Sequence, residues 1–343
     1  MSRVTIKEIA EKAGLSVTSV SFAFNNPNRL PEATVQRILE VAEELGYIPD
    51  PIARSMSTGR TGTLGILVPQ PITEINRNPF LYEFLEGVAE VCTAAGYSLM
   101  IVPPLEGSVR RAISVSAVDG FLTLGLEVFK STMRVLSQRD VPFVMVDGDP
   151  IEGVPAVNVD EVSGSHAAMT YILSEGHRDI TILGIRSGKD GRFEEYTGTL
   201  HRRMEGYLSS LAAFNLELDQ QRIQLIECSS TISGGHDGFH QLWRKKNHPT
   251  AVVAMSDIIA IGVIDSAKQM GIRIPEDLSV IGFDDISLSR LITPALTTVS
   301  QPLQRKGKLA TELLVKCIEG DCNSSHILLK TKLIVRESVR SHI

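Results

Sequence analysis

"GLSVTSVSFAFNN" occupies Gly14–Asn26, and its apolar residues Val17, Val20 and Ala23 recur at intervals of three, as on one face of a helix. Between them stand Thr18, Ser19 and Ser21, which are small, neutral and hydroxylic. A solvated helical face ordinarily carries Lys and Glu, and a core face Leu and Ile. Small hydroxyls suit a helix that must come close to another molecule.

The flanking residues supply two more helices. Thr5 and Glu8 have the spacing of a capping box, and Ile6, Ile9, Ala10 and Ala13 form the buried stripe of a helix that Gly14 ends. Ser16 caps the next helix, so only a tight turn separates the two. A third helix carries Val35, Ile38, Leu39, Ala42 and Leu45 at helical spacing and closes at Gly46. Ala10, Gly14 and Val20 occupy the small, turning and packing positions that a helix-turn-helix requires.

Beyond it lies "YIPDPIARSMSTGRTG" (Tyr47–Gly62), in which Pro49, Pro51, Ser57, Thr58, Gly59 and Gly62 bracket the island "IARSMS". Helices shorter than about 12 residues are marginal in water. The island reads as a linker with little more than one turn, helical only in company.

From Thr63 onward, short β-rich runs alternate with amphipathic helical stretches. The strands are read as "LGILVP", "YSLMIVP", "DGFLTLG", "PFVMVDG", "ITILGI", "IQLIEC", "AVVAMS", "LSVIGFD" and "LTTVSQ", with helices such as Phe80–Ala95, Gly164–Glu175 and Asp257–Met270 between them. Apolar strands each followed by a helix imply parallel sheets covered on both faces. The expected fold class is α/β: a two-lobed, doubly wound parallel-sheet domain behind an all-α headpiece.

Composition agrees with several domains and a large core: 343 residues, 43% hydrophobic and 22% charged. A formal charge of −6 argues against a protein that coats nucleic acid non-specifically. Residues 1–60 nevertheless balance seven basic against seven acidic side chains, so the deficit lies downstream. Cys92, Cys228, Cys317 and Cys322 show no CxxC spacing and no disulfide density, which fits a reducing compartment. With no apolar run of membrane-spanning length and no signal-peptide pattern, the expected location is the cytoplasm, without membrane attachment.

Ligands of open parallel sheets bind beyond the carboxyl ends of the strands. Asp147 follows "PFVMV", Ser256 and Asp257 follow "AVVAM", and Asp284 and Asp285 follow "SVIGF". Ionised carboxylates only accept hydrogen bonds, which suits a polyhydroxylated or amine-bearing ligand. Asp257 reads equally well as a cap of the next helix, whereas Asp284 favours a ligand because Asp285 can supply the cap. No nucleophile elbow, P-loop or dinucleotide fingerprint is present. His236 and His240 in "HDGFH" have neither the glutamate of a zincin nor a good helix, given Gly238, so neither a metal nor a cofactor is expected. His177 in "EGHRDI" reads as a partly exposed histidine at a helix end.

Together, "VTIKEIAEKAGLSVTSVS", "VAEELGYIPDPIARSM", "TGTLGILVP", "EGHRDITILG", "HRRMEGY", "SDIIAIG", "IPEDLSVIGFDD", "LTTVSQP" and "LIVRES" resemble, in this order and spacing, the LacI/GalR family of bacterial transcription regulators. The resemblance covers essentially the whole chain. It implies a headpiece at 1–48, a hinge at 49–61 and an effector domain at 62–343. Within the last, lobe 1 is expected at about 62–160 and 293–323 and lobe 2 at about 161–292 and 324–343. It further implies a homodimer on pseudo-palindromic double-stranded operator DNA, switched by a small-molecule effector, with a carbohydrate as first choice, and no enzyme activity.

By the same resemblance, the second helix enters the major groove. Val17, Thr18 and Phe22 fall where the family reads bases, and Thr5, Ser16, Ser21, Asn25, Arg29 and Tyr47 fall among its remaining DNA contacts. Phe22 departs from the basic or polar residue often found there and excludes a bidentate guanine contact from that position. Ala53 and Met56 match hinge positions that enter the minor groove, with Met56 in place of the usual leucine wedge. The family's effector positions map onto Phe80, Asp147, Arg203, Asp284 and Gln301, and Asp257 joins them from its strand-end position. Two departures bear on the ligand: a shortened segment between "MIVPP" and "SAVDG", and Ser233 near the place of an aromatic that often stacks on it. A cytoplasmic solute-binding protein of the same two-lobed fold, without DNA regulation, is the alternative reading. Because no leucine heptad tail follows "IVRESVRSHI", the expected assembly is a dimer and not a tetramer.

Overall fold

A computed structural model describes residues 4–69, 79–125, 130–186, 196–219, 221–244 and 247–342. The chain divides into two compact units, residues 1–63 with 117–119, and 64–116 with 120–343.

The first unit opens with α1 (Ile6–Ala13), α2 (Val17–Asn25), α3 (Glu32–Glu44) and α4 (Pro51–Thr58). The Glu8 carboxylate accepts from the Thr5 N–H at 2.7 Å and from its hydroxyl at 2.9 Å, and Gly14 at φ 66° turns the chain in a conformation that costs a side-chain-bearing residue. Ser16 Oγ accepts from the Ser19 N–H, as expected of a cap. The core comprises Ile9, Ala10, Val20, Ala23, Ile38 and Ala42.

Two positions of the expected stripes differ. Val17 is 40% exposed, because at 100° per residue it lies 120° around the helix from Ala23. Leu39 is also 40% exposed, and Val41 packs against the core on α3 instead.

The hinge segment is a fuller helix than the six-residue island suggested. Asp50 accepts from the Ile52 and Ala53 N–H groups, Pro51 begins the first turn, and Gly59 ends the helix at φ 70°. None of its residues is buried, so capping rather than packing defines it.

The second unit holds β1 (Thr63–Leu67, from its second residue), α5 (Pro79–Ala95), β2 (Ser98–Val102), α6 (Val109–Val115), β3 (Gly120–Leu124), α7 (Lys130–Gln138), β4 (Phe143–Val146) and β5 (Ala156–Val159). It continues with α8 (Glu161–Ser174), β6 (Ile180–Ile185), α9 (Gly198–Ala213), β7 (Ile223–Cys228), α10 (Ile232–Trp243), β8 (Ala251–Ala254), α11 (Asp257–Gln269) and β9 (Ser279–Asp284). β10 (Thr297–Ser300), α12 (Leu303–Ile318), β11 (His326–Leu329) and β12 (Lys332–Ile334) complete it.

Among the described residues two six-stranded sheets form, ordered β2-β1-β3-β4-β5-β11 and β7-β6-β8-β9-β10-β12. β12 runs antiparallel to β10, while the pairings of β9 with β10 and β5 with β11 are parallel. In each sheet the strand order reverses beside the first strand, between β1 and β3 and between β6 and β8, which makes a crevice at the carboxyl ends.

All nine expected strands form, and β5, β11 and β12 join them. The lobe exchanges also move: β10 belongs to the second sheet and β11 to the first, so residues 297–300 lie in lobe 2 and 326–329 in lobe 1. The physical reason is strand pairing, since β10 completes a parallel ladder on β9 and β11 on β5. Three crossovers therefore connect the lobes, and two meet where Asp160 N–H donates to the Leu329 carbonyl and Thr331 Oγ1 to the Asp160 carbonyl.

Three further expectations are corrected. The segment around "HDGFH" is a regular helix despite its glycines, because α10 crosses α11 at Gly235 and Gly262. A Cβ at either would stand about 2 Å from a backbone carbonyl of the other helix, so helix propensity yields to close packing. His177 is 2% exposed rather than partly exposed, with Nδ1 2.8 Å from Thr250 Oγ1 and Nε2 3.0 Å from the Arg340 carbonyl. Finally, Cys317 and Cys322 form a disulfide across the end of α12.

Candidate functional site

The headpiece presents the expected helix to solvent. Ser16, Val17 and Thr18 are exposed, and Ser21, Phe22 and Asn25 are half-buried along α2. Asn25 Nδ2 lies 3.4 Å from Ser21 Oγ, and the guanidinium of exposed Arg29 sits 5.3 Å from the Phe22 ring centroid. That cation over an aromatic face gives position 22 a basic neighbour although its own side chain is apolar. Exposed Thr5 begins α1, and half-buried Tyr47 packs by its ring against Phe24 at 5.4 Å. On α4, Ala53 is exposed, Ile52 is 73% exposed and Met56 is 84% exposed. Ile52 and Met56 stand four residues apart, one above the other on a single face.

In the two-lobed unit the strand-end carboxylates meet. Asp147 follows β4 at φ 58° and Asp284 ends β9 at φ 130°, both in backbone conformations that L-residues seldom adopt. Strain of this kind collects at ligand sites. Arg203, from α9, donates from Nη2 to Asp284 Oδ1 at 3.3 Å and from Nη1 to the Met255 carbonyl, and its guanidinium lies 3.8 Å over the Phe283 ring. Gln301 Nε2 donates to the same Asp284 oxygen at 2.7 Å.

Lys306 of α12, a residue the sequence reading did not single out, is fully buried. Its Nζ donates to Gln301 Oε1 at 2.7 Å and to Asp147 Oδ2 at 2.5 Å, and it stands 5.1 Å from the Phe80 ring centroid. The signal for it was a lysine on the buried stripe of Leu303, Gly307, Ala310 and Leu314, since lysines are almost never fully buried unless paired.

Arg203, Asp284, Gln301, Lys306 and Asp147 thus form one continuous chain of polar contacts linking lobe 2 to lobe 1. At its two ends, Arg203 Nε and Asp147 Oδ1 are buried without a hydrogen-bond partner among the described residues. Burial raises the Asp284 carboxyl above the usual range, opposed by Arg203.

Beside this chain, Arg202 bridges the lobes, with Nη1 2.7 Å from Asp149 Oδ1 and Nε 3.0 Å from Glu161 Oε2. Glu161 is buried, and desolvation followed by the Asp147 charge raises its carboxyl.

Asp257 stands apart from the others. It is fully buried and accepts from the Ile286 N–H, the Ser289 hydroxyl and the Thr298 hydroxyl, so both oxygens are committed to the fold. Burial, then the Asp284 charge, raises its carboxyl. It ties the 286–289 turn to β10 and offers no free oxygen to a ligand. Asp285 does not cap a helix either; it pairs with Arg336 Nη2 at 2.5 Å. Among the described residues no group of three His, Cys, Asp or Glu side chains is placed to hold a metal ion.

Residues 5–50 match the family described as bacterial regulatory proteins, lacI family, and residues 169–339 match a periplasmic binding protein-like domain. The chain is 30% identical over 346 residues to the HTH-type transcriptional repressor PurR of Photobacterium profundum, covering 98% of each. Among solved structures, a transcriptional regulator CelR–cellobiose complex aligns with a TM-score of 0.69 at 26% identity, over 98% of this chain and 100% of that one. A LacI family transcriptional regulator from Enterococcus faecium with bound ribose aligns with a TM-score of 0.71 at 26% identity, over 82% of this chain and 100% of that one. The chain belongs to the LacI family, a transcription regulator with a helix-turn-helix headpiece and a periplasmic-binding-protein-like effector domain.

Proposed function

We propose that this chain is a repressor that binds a pseudo-palindromic operator as a homodimer, and that a carbohydrate-like effector held between its lobes shifts its operator affinity. The observation that carries this reading is the polar chain across the lobe crevice, with a buried donor and a buried acceptor left without partners at its ends. An orphaned buried polar atom costs about 1–3 kcal/mol, which a ligand with complementary groups offsets. Cellobiose and ribose in the related structures support a hydroxylated ligand.

Phe80, Asp147, Arg203, Asp284 and Gln301 form the effector site, in which Arg203 and Asp147 meet the effector directly and Asp284, Gln301 and Phe80 hold the site in shape; Asp257 acts on the fold behind them. In the headpiece, residues 1–48, Val17, Thr18 and Phe22 face base edges, with Val17 and Phe22 suited to thymine methyls. Thr5, Ser16, Ser21, Asn25, Arg29 and Tyr47 position the backbone of the duplex. In the hinge, residues 49–61, Ala53 lies in the minor groove and Met56 wedges open a base step. Residues 62–343 bind effector and partner. The protein acts in the cytoplasm by binding rather than by turnover. Among the described residues no helix is long and apolar enough to cross a membrane.

Thermal-shift screening of sugars and nucleosides against the full chain tests the effector half of this reading, because a ligand of the native state raises the melting temperature by mass action. Operator selection from random duplexes tests the other half. A protein that recovers no common palindromic sequence, or melts unchanged with every compound, contradicts it.

A further inference from the structure

Gln301 and Asp147 each lose a ligand-facing position to a residue of this chain. The Gln301 amide is spent at both ends, Nε2 on Asp284 and Oε1 on Lys306, and one Asp147 oxygen is spent on the same ammonium. Lys306 itself is satisfied: two acceptors and the Phe80 ring face surround its Nζ. Within this chain of contacts, Arg203 Nε and Asp147 Oδ1 are buried without a hydrogen-bond partner among the described residues.

We propose that Lys306 is a specificity-determining residue, a built-in donor in the place of one ligand hydroxyl, so that the cleft selects a neutral effector through Arg203 Nε and Asp147 Oδ1.

Charge bookkeeping supports neutrality. Arg203 and Lys306 balance Asp147 and Asp284 within a buried chain, and the carboxyl of Asp257 lies behind Asp284. An anionic ligand would add an unpaired charge to a desolvated site, which is costly. A cationic ligand would have to compete with an ammonium already seated on Asp147. A neutral molecule that donates one hydrogen bond and accepts another completes the chain without changing its charge. Removing Lys306 changes the requirement: Asp147 Oδ2 and Gln301 Oε1 come free together, an acceptor pair suited to a ligand ammonium.

This inference rests on the effector reading above, and the experiment separates the two. Calorimetry and thermal shift on the full-length protein, Lys306→Met and Lys306→Gln would use two matched sets: glucose, glucosamine and glucose 6-phosphate, and adenosine, 3′-amino-3′-deoxyadenosine and adenosine 5′-monophosphate. The parent should bind a neutral member about tenfold or more tighter than its phosphorylated counterpart. In Lys306→Met the affinity ratio of the amine to its hydroxyl analogue should rise about tenfold or more over the parent's. Lys306→Gln, which keeps a donor without the charge, should fall between, and it carries the comparison if the methionine variant does not fold. A parent that binds phosphate esters as tightly as neutral compounds, or an amine-to-hydroxyl ratio unchanged in the folded variants, overturns the role of Lys306 alone. Failure of every compound to raise the melting temperature of the parent and of both variants rejects the effector reading, and this inference with it.

Discussion

Ser16, Thr18 and Ser21 share about a turn and a half of α2 and stand exposed or half-buried, whereas Asp147, Arg203, Asp284 and Lys306 come from four separate elements and are each less than a tenth exposed. The first set owes its arrangement to helix phase alone. The second depends on two sheets closing and on contacts between residues as distant in sequence as Asp147 and Lys306. The difference teaches where each function is vulnerable. In the headpiece a substitution removes one contact, while in the cleft it leaves a buried partner uncompensated.

The largest effect is therefore expected in the cleft. Arg203→Ala strands Asp284 in a desolvated site, and breaking a buried pair from one side costs about 3–5 kcal/mol. Denaturant titration should show that loss in the effector domain and abolished response to effector, with the headpiece fold unaffected. A loss below about 1 kcal/mol, the value of an exposed ion pair, would show that the cleft is no more vulnerable than the headpiece.

Met56→Ala addresses the hinge. The side chain contributes no burial in the single chain, so stability should not change. If its wedge supplies about 1.4 kcal/mol to the kinked complex, the ratio of specific to non-specific affinity falls about tenfold at one salt concentration. Equal loss of both affinities, with operator bending preserved, would make Met56 a linker residue.

Ser16→Ala removes a cap and should lower headpiece stability by about 1 kcal/mol. Operator affinity should fall further than stability predicts if the hydroxyl also meets a phosphate. Parallel losses in melting and in binding would leave Ser16 with the cap alone.

The last effect is one of slope with pH. Burial holds the His177 imidazole down at about 4, against 6.5 when free. Between those values the unfolded chain binds more protons, so this group's contribution is complete above pH 6.5 and is lost as pH falls toward 4. Asp257 and Asp284, with raised carboxyls, oppose that trend, so the difference between parent and His177→Asn isolates it. The variant should flatten the decline of stability between pH 6.5 and 4, read by thermal melts; an unchanged slope would contradict the assignment.

The sequence was most readable where the causes were local. Thr5 with Glu8, Gly14 and Ser16 cap helices through neighbours three or four residues away, and apolar runs such as "AVVAM" made strands because both faces are covered. Legibility failed where tertiary partners decide. Val17 and Leu39 have apolar side chains that fall off the buried stripes of their helices, and both are 40% exposed. The glycines of α10 looked like helix breakers because the helix they fit against lies more than twenty residues away. β11 and β12, rich in Lys and His at their ends, carry little apolar alternation and owe their strand form to the edges they complete. In the cleft, Asp147 and Asp284 stood out as polar residues ending apolar strands. Lys306 was hidden within an amphipathic helix that has other lysines on its exposed face. Asp257 shared the strand-end signature of the other two, and only its three donors distinguish it.

Operator affinity measured with and without ligand joins the two regions. With a duplex recovered by selection and one fixed salt concentration, fluorescence anisotropy of the full-length protein should show a shift in Kd of about fivefold or more when a neutral compound that raises its melting temperature is added. Arg203→Lys, which keeps the charge but not the fork geometry, should lose most of that shift while retaining operator binding. An operator Kd unmoved by every compound that stabilises the effector domain would contradict the account, because binding in the cleft would then have no energetic link to the headpiece.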